Sequence, residues 1–161
     1  MKRLWAPWRM EYISGEPRPG CLFCRVIEHP DDPDADLVVW RPEGAVVILN
    51  KFPYNAGHTM VAPAAHKGGL EDLDDAETRD LMRALRRTIT VMRAQLKPEG
   101  FNIGANIGRA AGAGMPDHVH VHVVPRWNGD TNFMPVLGEV KVINEHLAQT
   151  AAKLREAFAS S

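Results

Sequence analysis

His118-Val119-His120-Val121-His122-Val123-Val124 follows the glycine-rich run Gly108-Arg109-Ala110-Ala111-Gly112-Ala113-Gly114-Met115-Pro116-Asp117. In an extended chain, successive side chains point to opposite faces, so the three histidines share one face and the valines the other. The valines can enter a core, which fixes the register. A helix would scatter the imidazoles around its circumference, so the spacing predicts a strand over 118–125. Neighbouring histidines then stand about 7 Å apart at Cα and the outer pair roughly 13 Å. One metal shared by all three is therefore a poor reading. A central nucleophile between two differently employed neighbours fits better, and an exposed strand face or a fortuitous metal chelate is the competing reading.

Imidazole is largely unprotonated near pH 7 and attacks phosphorus well. Such an attack needs the spare ring nitrogen to donate a hydrogen bond, so that the lone pair points outward. It also needs donors around the phosphate oxygens. A glycine-rich loop just before the strand offers backbone N–H groups for that purpose.

Short runs bounded by Pro, Gly or Asn predict strands at Leu37–Trp40, Ala45–Asn50, His58–Ala62 and Phe101–Ile107. Leu81, Leu85, Ile89, Met92 and Leu96 recur at three- and four-residue steps, predicting a helix from Asp75 to about Leu96. Asp74 or Asp75 can cap its start, and Pro98 and Gly100 stop it. A terminal helix over 139–159 places Val140, Ile143, Leu147, Ala151, Leu154 and Phe158 on one face. The expectation is an α+β fold: an antiparallel sheet of about five strands, one long helix and a C-terminal helix. All of 1–161 reads as a single domain, with 1–20 as an arm rich in Trp, Pro and Gly.

The 161 residues are 45% hydrophobic, enough for one core. Net charge is −1 with both signs interspersed, so long nucleic acid is not an expected partner. No run approaches the roughly 20 apolar residues that span a bilayer. No secretory leader is visible, so a soluble cytoplasmic protein without membrane contact is expected. The two cysteines, Cys21 and Cys24, have C-x-x-C spacing. A metal knuckle, a redox pair and two unremarkable thiols all remain open on spacing alone.

The histidine strand resembles the signature of the histidine triad family of nucleotide hydrolases and transferases. Asn50-Lys51-Phe52-Pro53-Tyr54-Asn55-Ala56-Gly57-His58-Thr59-Met60-Val61 resembles that family's first nucleotide-binding turn and following strand. The resemblance covers roughly residues 20–130. It implies that His120 is the nucleophile that becomes nucleotidylated, that His122 contacts a phosphate oxygen, that His118 opens the triad, and that His58 is a fourth, supporting histidine. It implies that Asn50 binds ribose and that Asn106 lies near the α-phosphate. Phe52 and Tyr54 are either walls of a base pocket or turn packing. Gly112, Ala113 and Gly114 lie where the loop meets phosphate. Many relatives carry Ser or Gln near Gly114, and a glycine there has no side-chain donor for the leaving group.

The arm Leu4-Trp5-Ala6-Pro7-Trp8-Arg9-Met10-Glu11-Tyr12-Ile13 and the run Val124-Pro125-Arg126-Trp127-Asn128-Gly129-Asp130-Thr131-Asn132-Phe133 resemble a bacterial subgroup of the family that includes diadenosine tetraphosphate phosphorylases. Trp5 and Trp8 either stack on a second adenine or cover a hydrophobic edge or dimer seam. Some bacterial triad proteins and related transferases join a Cys pair, a later His and the first triad His around zinc. That resemblance implies a structural Zn²⁺ site at Cys21, Cys24, His66 and His118, with Mg²⁺ arriving only with substrate. It also implies a homodimer paired through the long helix and a sheet edge. The expected reaction is nucleotidyl transfer or hydrolysis at the α-phosphorus of a dinucleoside polyphosphate, a small-molecule nucleotide substrate. The alternatives are an adenosine phosphoramidase and a nucleotide-binding module without turnover.

Overall fold

The computed structural model describes residues 19–130 and 146–160. Trp5, Trp8 and the predicted helical start at Val140 and Ile143 lie outside them. Five strands form one sheet: β1 (Val38–Trp40), β2 (Ala45–Leu49), β3 (Thr59–Pro63), β4 (Gly100–Ala105) and β5 (Val121–Arg126). Their order is β1-β2-β3-β5-β4 and every pairing is antiparallel. Among the described residues, three α-helices join them: α1 (Leu22–Glu28), α2 (Asp75–Leu96) and α3 (Leu147–Ala159). This is the expected α+β architecture.

Helix α2 starts where its sequence says it should. The Asp74 side chain accepts from the Glu77 N–H at 2.9 Å, and the Glu77 carboxylate accepts from the Asp74 N–H at 2.8 Å. Two backbone donors that a helix start leaves bare are thus satisfied reciprocally. Leu81, Ala84, Leu85, Val91 and Met92 of this helix pack with Ala151, Leu154 and Phe158 of α3 onto one sheet face, against Val39, Val47, Leu49, Val61, Val121 and Val123. Each large apolar side chain buried there contributes about 1.5–3 kcal/mol. The opposite face carries Val38, Val46, Ile48, Met60 and Ala62 beneath Phe23 and Val26 of α1. With both faces covered, β2 is buried at every position and shows no polar alternation.

Two expectations need correction. Helix α1 was not foreseen: it has seven residues, and Cys21 at its N-cap makes no side-chain capping bond. Burial of Phe23 and Val26, not capping, holds it in place. The strand predicted over 118–125 begins at Val121. Before it, the Val119 N–H turns to the Lys67 carbonyl at 2.7 Å, and the Pro63 carbonyl meets the His118 ring at 2.9 Å. Those two tertiary bonds draw 118–120 away from the β3 ladder. The histidines nevertheless stay on one side, with Val119, Val121 and Val123 buried among the core residues.

Candidate active site

His120 and His122 lie side by side, ring centroids 4.9 Å apart, and the Phe23 ring contacts His118 and His120 at 5.0 and 4.9 Å. Backbone groups dictate where the protons sit. The His118 carbonyl can only accept, so His120 donates to it from Nδ1 at 2.9 Å. Neutral His120 therefore carries its lone pair on Nε2. The Tyr54 N–H donates to His58 Nδ1 at 3.0 Å, which fixes the His58 proton on Nε2. His58 Nε2 then donates to His122 Nδ1 at 2.9 Å, and His122 keeps its own proton on Nε2. The outcome is a lone pair on His120 next to an N–H donor on His122, imposed by a backbone N–H at one end and a backbone carbonyl at the other.

Burial favours the uncharged forms. It lowers the His118 and His120 pKa values, and it lowers that of His122 to about 4, with the His120 charge adding to the effect. His58, fully buried, must be neutral to accept from Tyr54. The cluster thus enters a reaction near pH 7 uncharged, as a nucleophile and a hydrogen-bond donor require.

Of the remaining predicted residues, Tyr54 meets this cluster and the others bond within their own turns or follow its strands. The Tyr54 ring lies 4.6 Å from His58 and 6.1 Å from His122, so it flanks the histidines. Phe52 is exposed, and its N–H donates to Asn50 Oδ1 at 2.9 Å. The Asn50 side chain therefore caps its own turn with its oxygen. Asn106 directly follows β4, one step beyond the Gly104–His122 and Ala105–Val121 pairs. In the loop, Gly108 and Gly112 take positive φ (78° and 83°), which glycine alone adopts without strain. The Gly112 and Ala113 N–H groups bond to the Arg109 and Gly108 carbonyls, so those two donors already serve the loop itself.

Cys21, Cys24, His66 and His118 converge, their ligand atoms all within 4.8 Å of one another. Cys21 Sγ lies 3.2 Å from His118 Nδ1, Cys24 Sγ 3.3 Å from His66 Nδ1, and the two Nδ1 atoms 3.3 Å apart. Because His118 Nε2 donates to the Pro63 carbonyl, its Nδ1 lone pair faces the thiols. A metal-binding histidine usually has its second nitrogen held in this way. Burial and neighbouring Cys21 push the Cys24 thiol up to about 11. Two sulfurs and two nitrogens at these spacings match the donor set of a closed tetrahedral zinc site. His118 thus belongs to the sulfur cluster through its ring and to His120 through its carbonyl. Phe23, between the two cysteines, was not singled out from sequence. Its apolar partner Val26, three residues on, was the available signal.

Comparisons with known proteins identify the family. The AP-4-A phosphorylase of Mycobacterium tuberculosis is 39% identical over 168 residues, covering 99% of this chain and 85% of that protein. An uncharacterized HIT-like protein of Methanocaldococcus jannaschii is 34% identical over 126 residues, covering 77% of this chain and 92% of its own. Among solved structures, a Zn-bound histidine triad family protein from Mycobacterium smegmatis matches with a TM-score of 0.70 at 29% identity, over 88% of this chain and 94% of that one. The model of the HIT domain matches residues 34–129, a span that holds the whole sheet and all five histidines of the two clusters. On that match, and on the similarity along nearly its full length to a member of known name, the chain belongs to the HIT domain family.

Proposed function

We propose that this protein is an enzyme that cleaves a phosphoanhydride bond of a dinucleoside polyphosphate through a covalent nucleotidyl-His120 intermediate. One observation carries the reading: backbone bonds leave the lone pair on His120 Nε2 and an N–H donor on His122 Nε2. In the first step the His120 nitrogen forms a bond to the α-phosphorus. The bond from that phosphorus to its bridging oxygen breaks, and the electron pair leaves with the nucleoside triphosphate, whose oxygen His122 receives with its N–H. In the second step an acceptor oxygen attacks the same phosphorus, and the N–P bond returns its electrons to His120. Positioning and preorganised donors supply most of the rate in such a reaction.

Similarity to a protein named AP-4-A phosphorylase supports diadenosine tetraphosphate as substrate and inorganic phosphate as acceptor. Asn50 is proposed to bind the ribose, with its amide NH₂ as donor, and Asn106 and the Gly114 N–H to bind the α-phosphate. Product analysis tests this directly. Phosphate as acceptor gives ADP plus ATP, and water gives AMP plus ATP. Release of adenosine phosphates at equal rates with and without added phosphate would count against phosphorolysis, and no turnover at all would count against the enzymatic reading.

The Cys21, Cys24, His66 and His118 set is proposed to hold one structural zinc ion. When bound, the ion ties α1 to the segment that leads into the histidines. Mg²⁺ is proposed to arrive with the substrate's phosphates rather than on a protein site. A homodimer is also proposed, supported by the position of β4 at the sheet edge and by exposed Ile103, Ile107 and Met82. No helix among the described residues is long and apolar enough to cross a membrane. Free thiols at Cys21 and Cys24 accord with the proposed cytoplasmic setting.

A further inference from the structure

The β3–β5 ladder runs from Val61–Val121 to Thr59–Val123. Past that end lies the turn 50–58 on the β3 side, while β5 runs on to Pro125 and Arg126. The Arg126 carbonyl accepts from the Glu99 N–H at 2.9 Å, on the β4 side. The Pro125 carbonyl, one residue earlier, points to the opposite edge, where the ladder has ended. Asn55 Nδ2 donates to it there at 3.1 Å.

The same amide is bonded through both its nitrogen and its oxygen. Nδ2 also donates to Asp130 Oδ2 at 2.8 Å, and Oδ1 accepts from the Ala56 N–H at 3.2 Å. Asp130 is itself fixed to the sheet. Arg126 donates to it from Nε and Nη2 at 2.6 and 2.7 Å, and the Trp127 N–H donates at 3.1 Å. Arg126 Nη1 in turn donates to Asn102 Oδ1 of β4 at 2.6 Å. Asn55 is half-buried, whereas Lys51, Phe52 and Tyr54 before it are exposed. The Asn55 side chain thus pins the turn to the end of the sheet, and its bond to a carboxylate is of the stronger, charge-assisted kind.

We propose that Asn55 is a positioning residue for the histidine cluster, acting through the Tyr54 N–H and His58 to keep the proton of His122 on Nε2. The catalytic consequence rests on the nucleotidyl-transfer reading above; the placement of the proton does not. Asn55 and its neighbour hold His58 at two points. The Asn55 carbonyl accepts from the His58 N–H at 3.1 Å, and the Tyr54 N–H donates to His58 Nδ1 at 3.0 Å. The His58 carbonyl accepts from the Asn50 N–H at 2.8 Å and closes the turn. Backbone and ring of His58 therefore take their positions from the segment that Asn55 anchors.

The anchor matters because the His58–His122 bond can run in either direction. In the reversed arrangement His58 carries its proton on Nδ1, and His122 Nδ1 donates to His58 Nε2. His122 Nε2 then holds a lone pair next to that of His120, and no N–H meets the departing oxygen. The Tyr54 N–H excludes this arrangement, since two N–H groups cannot face each other across 3.0 Å. A turn displaced by about an ångström loses that contact and with it the exclusion. Asn55 lies on the far side of Tyr54 from the histidines' own strand, and its bonds to Pro125 and Asp130 oppose that displacement.

Long-range proton–nitrogen NMR spectra of the imidazole rings read the tautomers without any assay of turnover. In the unaltered full-length protein His58 and His122 should each show a protonated Nε2 and a bare Nδ1. Two variants remove the anchor: Asn55→Leu, near in size but without polar atoms, and Asn55→Asp, which keeps the oxygen toward Ala56 and loses both donated bonds. Each should move about half of His122 to the Nδ1–H form, as two arrangements of equal bonding share the population. Turnover of diadenosine tetraphosphate should fall by about twofold to tenfold in kcat, the lost share together with looser orientation of the rest. Phe158→Leu, a core change on α3 where that ring stacks on Trp40, should lower Tm and leave both tautomers and kcat in place. Tautomers that stay fixed in both Asn55 variants, or that scramble equally in Phe158→Leu, would overturn the positioning role while leaving the nucleotidyl-transfer reading intact. Tautomers that move as expected in a protein that turns over no dinucleoside polyphosphate would uphold the anchor and overturn that reading.

Discussion

Replacing His58 with Phe isolates the hydrogen-bond relay from packing. An aromatic ring is kept, though a bulkier one, and the Tyr54 N–H and His122 Nδ1 both lose this partner. A buried group left unpaired costs about 1–3 kcal/mol. Tyr54 is exposed enough for water to re-pair its N–H, so the first loss lies at the lower end. His122 is half-buried, and its loss falls nearer the middle of the range. The sum is about 2–3 kcal/mol, and at roughly 2–4 °C per kcal/mol for a chain of this size Tm falls by about 4–12 °C. His58→Ala adds a cavity at a fully buried site and should cost about 1–2 kcal/mol more. Catalysis suffers separately, because His122 is then free to hold its proton on either nitrogen. With a positioned proton donor worth about 10²–10⁴ in rate, partial loss of its orientation should lower kcat by about tenfold to a hundredfold. Differential scanning calorimetry and steady-state kinetics on the two variants check both numbers. A His58→Phe protein with unaltered Tm and kcat would refute the relay.

Other outcomes follow from the same structure. His122 should titrate near pH 4 in the folded protein, as followed by histidine ring resonances in NMR, and a midpoint near 6.5 would contradict its burial. Since the unfolded chain binds that proton more readily, the stability His122 contributes is fully present above about pH 6.5 and is lost as pH falls through about 4. Cys24→Ala should reduce zinc to well below one ion per chain by atomic emission and lower Tm, whereas full zinc content in the variant would reject the four-ligand site. Gly57→Ala should destabilise by about 1–3 kcal/mol in urea unfolding, because φ is 78° and a Cβ would stand 2.6 Å from Leu96 Cδ1 and 3.3 Å from Pro125 Cγ.

Much of this molecule is legible residue by residue. Asp74 and Glu77 mark the start of α2, and the stripe Leu81, Leu85, Met92 marks the face it buries. Alternating His and Val correctly put three imidazoles on one side. The family resemblance, not spacing, brought Cys21, Cys24, His66 and His118 together, since two of those contacts join residues 97 and 42 apart. What stayed hidden depends on tertiary bonds. Nothing local says that Val119 pairs with Lys67 instead of continuing a ladder, or that Phe23 lies against two histidines. The Arg126–Asp130 pair is close in sequence, but Asn55 reaches it from 75 residues away.

The central claim is that His120, whose lone pair the His118 carbonyl leaves on Nε2, becomes covalently nucleotidylated. Rapid alkaline quenching during turnover of diadenosine tetraphosphate, followed by proteolysis and mass spectrometry, tests it most directly. The account predicts an adenylyl group on the peptide containing His120, formed at least as fast as the enzyme turns over, and absent in His120→Ala together with turnover. Sustained turnover with no adduct, or an adduct on a different residue, would contradict it.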